Sequence, residues 1–145
     1  MYKRQLYVVG SIFRSVRYSL GQPGSWTRES LGSGGPATID LVVDSNDQPR
    51  TAFATTNGVV YRERDPTTGW SYDIVEPPSG ATEVSLTLDS ADEPHIVYYD
   101  ATAKDLIYRR RTTTGWDRVT VDSSGDVGSK SDIVVDSQNL SLIHI

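Results

Sequence analysis

One short string recurs three times and constrains the fold more than any other feature. Leu41-Val42-Val43-Asp44-Ser45 returns as Leu86-Thr87-Leu88-Asp89-Ser90 and again as Ile133-Val134-Val135-Asp136-Ser137, with the aspartates 45 and 47 residues apart. Trp26, Trp70 and Trp116 keep nearly the same step, and so do Tyr18, Tyr61 and Tyr108. Three markers in phase identify a repeated supersecondary unit, which buries its apolar faces by stacking on its neighbours.

The clearest unit runs from Thr82 to Ser124. Val84, Leu86 and Leu88 alternate with Ser85 and Thr87, the period-two pattern of a strand. Ser90-Ala91-Asp92-Glu93-Pro94 reads as a turn, and His95–Tyr99 as a second strand rich in β-branched and aromatic residues. Leu106–Arg110 forms a third strand, and Trp116–Val121 a fourth after the Thr112–Gly115 turn. The preceding unit repeats this order, with Pro49, Phe53, Tyr61 and Gly69-Trp70 at matching places. No segment carries a 3.6-residue apolar period, so helix is expected to be scarce.

Four antiparallel strands per unit of about 45 residues is the pattern of a propeller blade. The sequence therefore predicts an all-β chain: a partial β-propeller of about three four-stranded antiparallel blades. Residues 6–35 supply the end of one blade, 36–81 and 82–127 two complete blades, and 128–139 the first strand of the next. Together, 6–139 form the partial propeller. Its open sheet faces and unpaired edges predict marginal solubility or self-association.

The termini read differently. Leu140–Ile145, LSLIHI, is what a transposon mosaic-end adapter encodes in one frame. Tyr2–Gln5, YKRQ, is what its reverse complement encodes in another. Residues 1–5 and 140–145 are therefore expected to be adapter-derived and are set aside from fold reasoning, as fusion scars are. His144 goes with them and leaves His95 as the histidine of the remaining sequence.

Composition removes several function classes. The chain has no cysteine, which excludes a disulfide framework, a thiolate metal site and a thiol nucleophile. A formal net charge of −5 argues against a phosphate-binding surface, and no nucleic-acid partner is expected. No apolar run approaches the roughly 18 residues of a spanning helix, so no membrane insertion is expected.

The string Asp89-Ser90, Pro94-His95-Ile96, Tyr98 and Asp100, followed by Leu106, Tyr108 and Gly115-Trp116, resembles a repeat of bacterial exported β-propellers of the sialidase or neuraminidase-repeat type. It is also similar to the blades of tandem-repeat propeller lectins. The resemblance covers essentially all of residues 6–139. It implies a secreted or surface-exposed bacterial protein, extracellular in location, whose partners are a glycan or protein ligand and the remaining blades of the same full-length chain. The Ser-x-Asp-x-Gly-x-Thr-Trp box of sialidases does not occur in the sequence. Nor can the arginine triad, nucleophilic tyrosine with its glutamate, or acid aspartate of such an enzyme be assigned. Arg109, Arg110 and Arg111 adjoin on one strand, where alternation sends them to opposite faces.

Each candidate site residue has a bland reading beside the functional one. Trp70 and Trp116 could stack on sugar rings, but repetition at a fixed place favours a seal between blades. Asp44, Asp89 and Asp136 could bind calcium. They lack the spacing and closing glutamate of a calcium loop, and Asp-Ser after a strand is ordinary turn chemistry. His95 matches Arg50 in the preceding unit, which argues against a shared catalytic base. If differences between blades make one site, His95, Tyr99 and Asp100 are its residues, because Arg50, Ala54 and Thr55 replace them. No catalytic residues, metal ligands or cofactors are assigned. The expected function is a non-catalytic binding or scaffold module. The alternative is part of a sialidase-like glycoside hydrolase or polysaccharide lyase with most catalytic residues in other blades.

Overall fold

A computed structural model describes residues 5–11, 15–22, 25–33 and 38–145; of the adapter-like N-terminus, residues 1–4 lie outside this set, as does the 35/36 boundary. The described residues are all-β and antiparallel, without helix. The chain divides into two compact units, Met1–Pro36 and Ala37–Ile145.

The first unit is a three-stranded sheet: β1 (Gln5–Ser11), β2 (Ser15–Gln22) and β3 (Ser25–Ser33), in that order. Val16, Tyr18 and Leu31 are buried, and Trp26 on β3 stands opposite Gly21 on β2.

The second unit stacks three sheets. The first comprises β4 (Ile39–Val43), β5 (Pro49–Thr55), β6 (Gly58–Asp65), β7 (Gly69–Trp70) and β8 (Asp73–Glu76), with β7 and β8 both paired to β6. The second comprises β9 (Ala81–Leu88), β10 (Pro94–Asp100), β11 (Asp105–Thr112) and β12 (Gly115–Asp122), hydrogen-bonded in sequence order. The third is the pair β13 (Asp132–Val135) and β14 (Ser141–His144), so the adapter-like residues 141–144 complete a hairpin.

Alternation explains why the sheets stack. Ile96 and Tyr98 on β10 and Ile107 on β11 pack with Ala52, Val59, Tyr61 and Val75 of the first sheet. Val97 and Leu106 point the other way and meet Ile133, with Tyr108 and Ile143 at the margin. The central sheet is thus apolar on both faces, and a neighbour keeps each dry.

The fourth strand of the first stacked sheet departs from a continuous run. It breaks at Ser71-Tyr72 because the Ser71 hydroxyl, rather than a carbonyl, accepts the Glu63 N–H at 3.2 Å. The Ser71 N–H still reaches the Glu63 carbonyl at 2.9 Å, so the register is kept. Arg64 faces Trp70 on one side of the break, and Tyr61 faces Asp73 on the other.

Candidate functional site

The three Asp-Ser segments fold into the same turn. Asp44 Oδ1 accepts the N–H groups of Asn46 and Gln48 at 2.9 and 2.8 Å. Asp89 Oδ1 does the same for Ala91 and Glu93, and Asp136 Oδ1 for Gln138 and Leu140. Asp47, Asp92 and Asn139 take the left-handed conformation at the equivalent place, with φ of 59°, 61° and 61°. Asp and Asn tolerate this region because their short polar side chains bond locally. The carboxylates are spent on these turns, and Asp44 Oδ2 is further taken by the Arg50 guanidinium at 3.0 Å. Burial would push the Asp44 carboxyl up, but the N–H groups of Gln48 and Asn46 with Arg50 hold it below the ordinary carboxylate range.

The turns also clasp their neighbours. Ser45 N–H and Oγ donate to the Asp92 carboxylate of the next sheet at 3.0 and 2.5 Å. Ser90 N–H donates to Asn139 Oδ1 of the sheet after that, at 3.0 Å. On the first strands, Ser85 Oγ lies 3.2 Å from Asp40 Oδ2 and 2.7 Å from Asp132 Oδ1, which ties β4, β9 and β13 together.

Arg50 and His95 fill equivalent positions beside these turns. Arg50 bonds Asp44, the Tyr61 hydroxyl, Glu63 and the Asp92 carbonyl. His95 Nδ1 lies 2.6 Å from the Tyr108 hydroxyl and 3.1 Å from Ser141 Oγ. Its Nε2 stands 3.6 Å from Asp89 Oδ2, an electrostatic contact too long for a hydrogen bond, and has no other partner among the described residues. Burial lowers the His95 pKa, and the Asp89 carboxylate offsets only part of that.

Tyr61, Glu63, Arg50 and Arg111 form a set that looks like chemistry. The Tyr61 hydroxyl donates to Glu63 Oε2 at 3.3 Å, Arg111 binds the same oxygen at 3.0 Å, and its guanidinium lies over the Tyr61 ring. A carboxylate and two guanidiniums could activate a phenol, but Tyr61 is 0% exposed and burial pushes its hydroxyl pKa up. It is a sealed bond between sheets, out of a substrate's reach.

The sequence-selected residues separate. His95 lies at the turn end of β10. Tyr99 and Asp100 lie at its other end, where Asp100 Oδ1 accepts from Thr102 and Ala103, and Tyr99 donates to Asp126 at 2.5 Å. Trp116 donates its indole N–H to Asp73 at 2.9 Å and sets its ring edge-on to Tyr61 at 5.5 Å, which gives it the work of a seal. Trp70 is partly buried at the matching register.

The sequence reading missed Glu76. Its Oε2 accepts from the Tyr98 hydroxyl at 2.6 Å and pairs with Arg109, joining two sheets in a largely buried ion pair. Arg109 and Arg111 thus share one face and serve Glu76 and Glu63. Repeat arithmetic holds the signal: Glu63 and Arg111, like Asp73 and Trp116, stand about one repeat apart. The chain matches no protein-family model, and no curated protein matches it.

Proposed function

We propose that the stacked sheets are consecutive blades of a β-propeller, and that the array is a non-catalytic module that binds a glycan or protein or serves as a scaffold. The recurring clasp carries this reading. Ser45 holds Asp92 as Ser90 holds Asn139, so one stacking step is applied twice. Repeated, such a step generates a ring or a solenoid, and the ring suits four-stranded units whose first strands meet. Val134 is more than half exposed on the last sheet, on a face suited to further blades of the same chain. The sealed Tyr61 supports binding over hydrolysis. The kinship with exported sialidase-like and lectin-like propellers rests on the resemblance of the repeat.

A glycan array probed with the chain, run beside a panel of fluorogenic glycosides including a sialoside, tests the function. Retention on glycans without turnover supports the module. Hydrolysis would transfer the chain to the glycosidase class, and an empty array would remove the glycan version.

A further inference from the structure

A cleft of about 310 Å³ opens between the beginnings of β9 and β13, lined by Thr38, Glu83, Val84, Lys130 and Ser131. That is the low end of small-ligand sites, which run about 300–1,000 Å³. Three observations set it apart from a packing gap.

First, β9 carries a β-bulge here. Val97 pairs with Ser85 and Tyr99 with Thr82, so Glu83 and Val84 together oppose Tyr98. Bulges re-aim side chains, and this one sends the Glu83 carboxylate across to the backbone N–H of Lys130. Second, Glu83 and Lys130 both sit in the left-handed region, at φ 53° and 60°. Gly, Asn or Asp would fit there with less strain. A long acid and a long base occupy the two positions instead, and the Lys130 ammonium forms no ion pair among the described residues. Third, Ser131 is 8% exposed and its Oγ has no hydrogen-bond partner among the described residues. A buried hydroxyl without a partner calls for an explanation, and rotation about χ1 is the move that turns it to a ligand.

We propose that this cleft binds one residue of a neutral sugar, through adjacent hydroxyl groups. The inference rests on the binding-module reading and names its site and ligand class. Thr38 Oγ1 already accepts from the Val84 N–H at 2.7 Å, which leaves its proton to donate. Lys130 also donates, Glu83 accepts, Ser131 does either, and Val84 offers an apolar wall. A vicinal diol satisfies all of these at once. An anion would face Glu83, a cation would face Lys130, and an apolar ligand would leave Ser131 unpaired.

The test is a ¹H–¹⁵N NMR titration of the whole chain with the methyl glycosides of glucose, galactose and mannose, beside glycine and sodium acetate. At least one glycoside should shift the Val84, Lys130 and Ser131 amides saturably, with a millimolar Kd. Glu83→Gln keeps an acceptor for the Lys130 N–H and should weaken binding by about tenfold. Lys130→Asn suits the left-handed backbone, so it should fold at least as well and still bind more weakly; unchanged affinity in that variant would overturn the proposal. So would no saturable shift at these amides, or equal shifts from glycine or acetate. Saturable glycoside shifts at the Trp70 or Trp116 indoles instead would sink the cleft and leave the binding module standing.

Discussion

The two interfaces of the stacked unit are built on the same plan and differ in the residue that fills one shared slot. Between the first and second sheets the slot beside the Asp turn holds Arg50; between the second and third it holds His95. Arg50 is charged at every working pH and reaches four partners, among them the Asp92 carbonyl of the next sheet. His95 reaches the Tyr108 hydroxyl and Ser141 Oγ, and burial keeps it neutral until the solution is more acidic than an ordinary histidine needs. The first interface also carries the Glu76–Arg109 and Glu63–Arg111 pairs. One frame therefore supports a joint whose slot holds a fixed charge and a joint whose slot holds a neutral imidazole.

The largest expected effect breaks the first joint. Glu76→Ala would leave the Arg109 guanidinium and the Tyr98 hydroxyl buried without their acceptor. Urea unfolding should show a loss of about 3–5 kcal/mol, the usual cost of orphaning one member of a buried pair.

Arg50→Ala and His95→Ala sharpen the contrast. Arg50→Ala strips one charged partner from each of Asp44 and Glu63 and should cost about 3 kcal/mol. His95→Ala removes neutral bonds at a smaller interface and should cost about 1–2 kcal/mol. Equal losses from the two variants would erase the distinction between the joints.

Acid separates the joints further. Because burial lowers the folded-state His95 pKa below the ordinary histidine value of 6.5, the unfolded chain binds that proton first. The contribution of His95 is complete above 6.5 and is lost as the pH falls from there toward the folded value. Asp44 and Asp89 are held below 3.8, so their contributions are lost only at lower pH. Denaturant midpoints of the wild type should fall as the pH is lowered from about 7 to about 5, and His95→Arg should remove most of that slope. A slope unchanged in His95→Arg would assign the effect elsewhere.

The smallest expected effect tests the clasp. Asp92→Asn keeps the left-handed turn and one acceptor for Ser45, and should cost about 0.5–1 kcal/mol. A calorimetric scan that shows no change would mean the second Ser45 bond contributes nothing.

The strands and turns were legible because they rest on local chemistry: alternation at Val84 to Leu88, and Asp-Ser punctuation after each first strand. Trp116 was readable as a seal because it recurs. The exchange of Arg50 for His95 was visible in the alignment of repeats, but their partners were not, since Asp92 and Ser141 lie in the next sheet. The bulge at Glu83 and the break at Ser71 were hidden, because Glu is no turn marker and Ser71 acts through its hydroxyl. Searching for complementary side chains one repeat apart would have found Glu63 with Arg111 and Asp73 with Trp116.

The most direct test asks whether one stacking step relates all three sheets. Asn46, Ala91 and Gln138 are exposed and equivalent in the three turns, and the chain has no native cysteine. Nitroxide labels on Asn46→Cys with Ala91→Cys, and on Ala91→Cys with Gln138→Cys, give two distances by pulsed electron resonance. Coincident distance distributions are predicted; two clearly different distances would show that the sheets are not successive copies of one step.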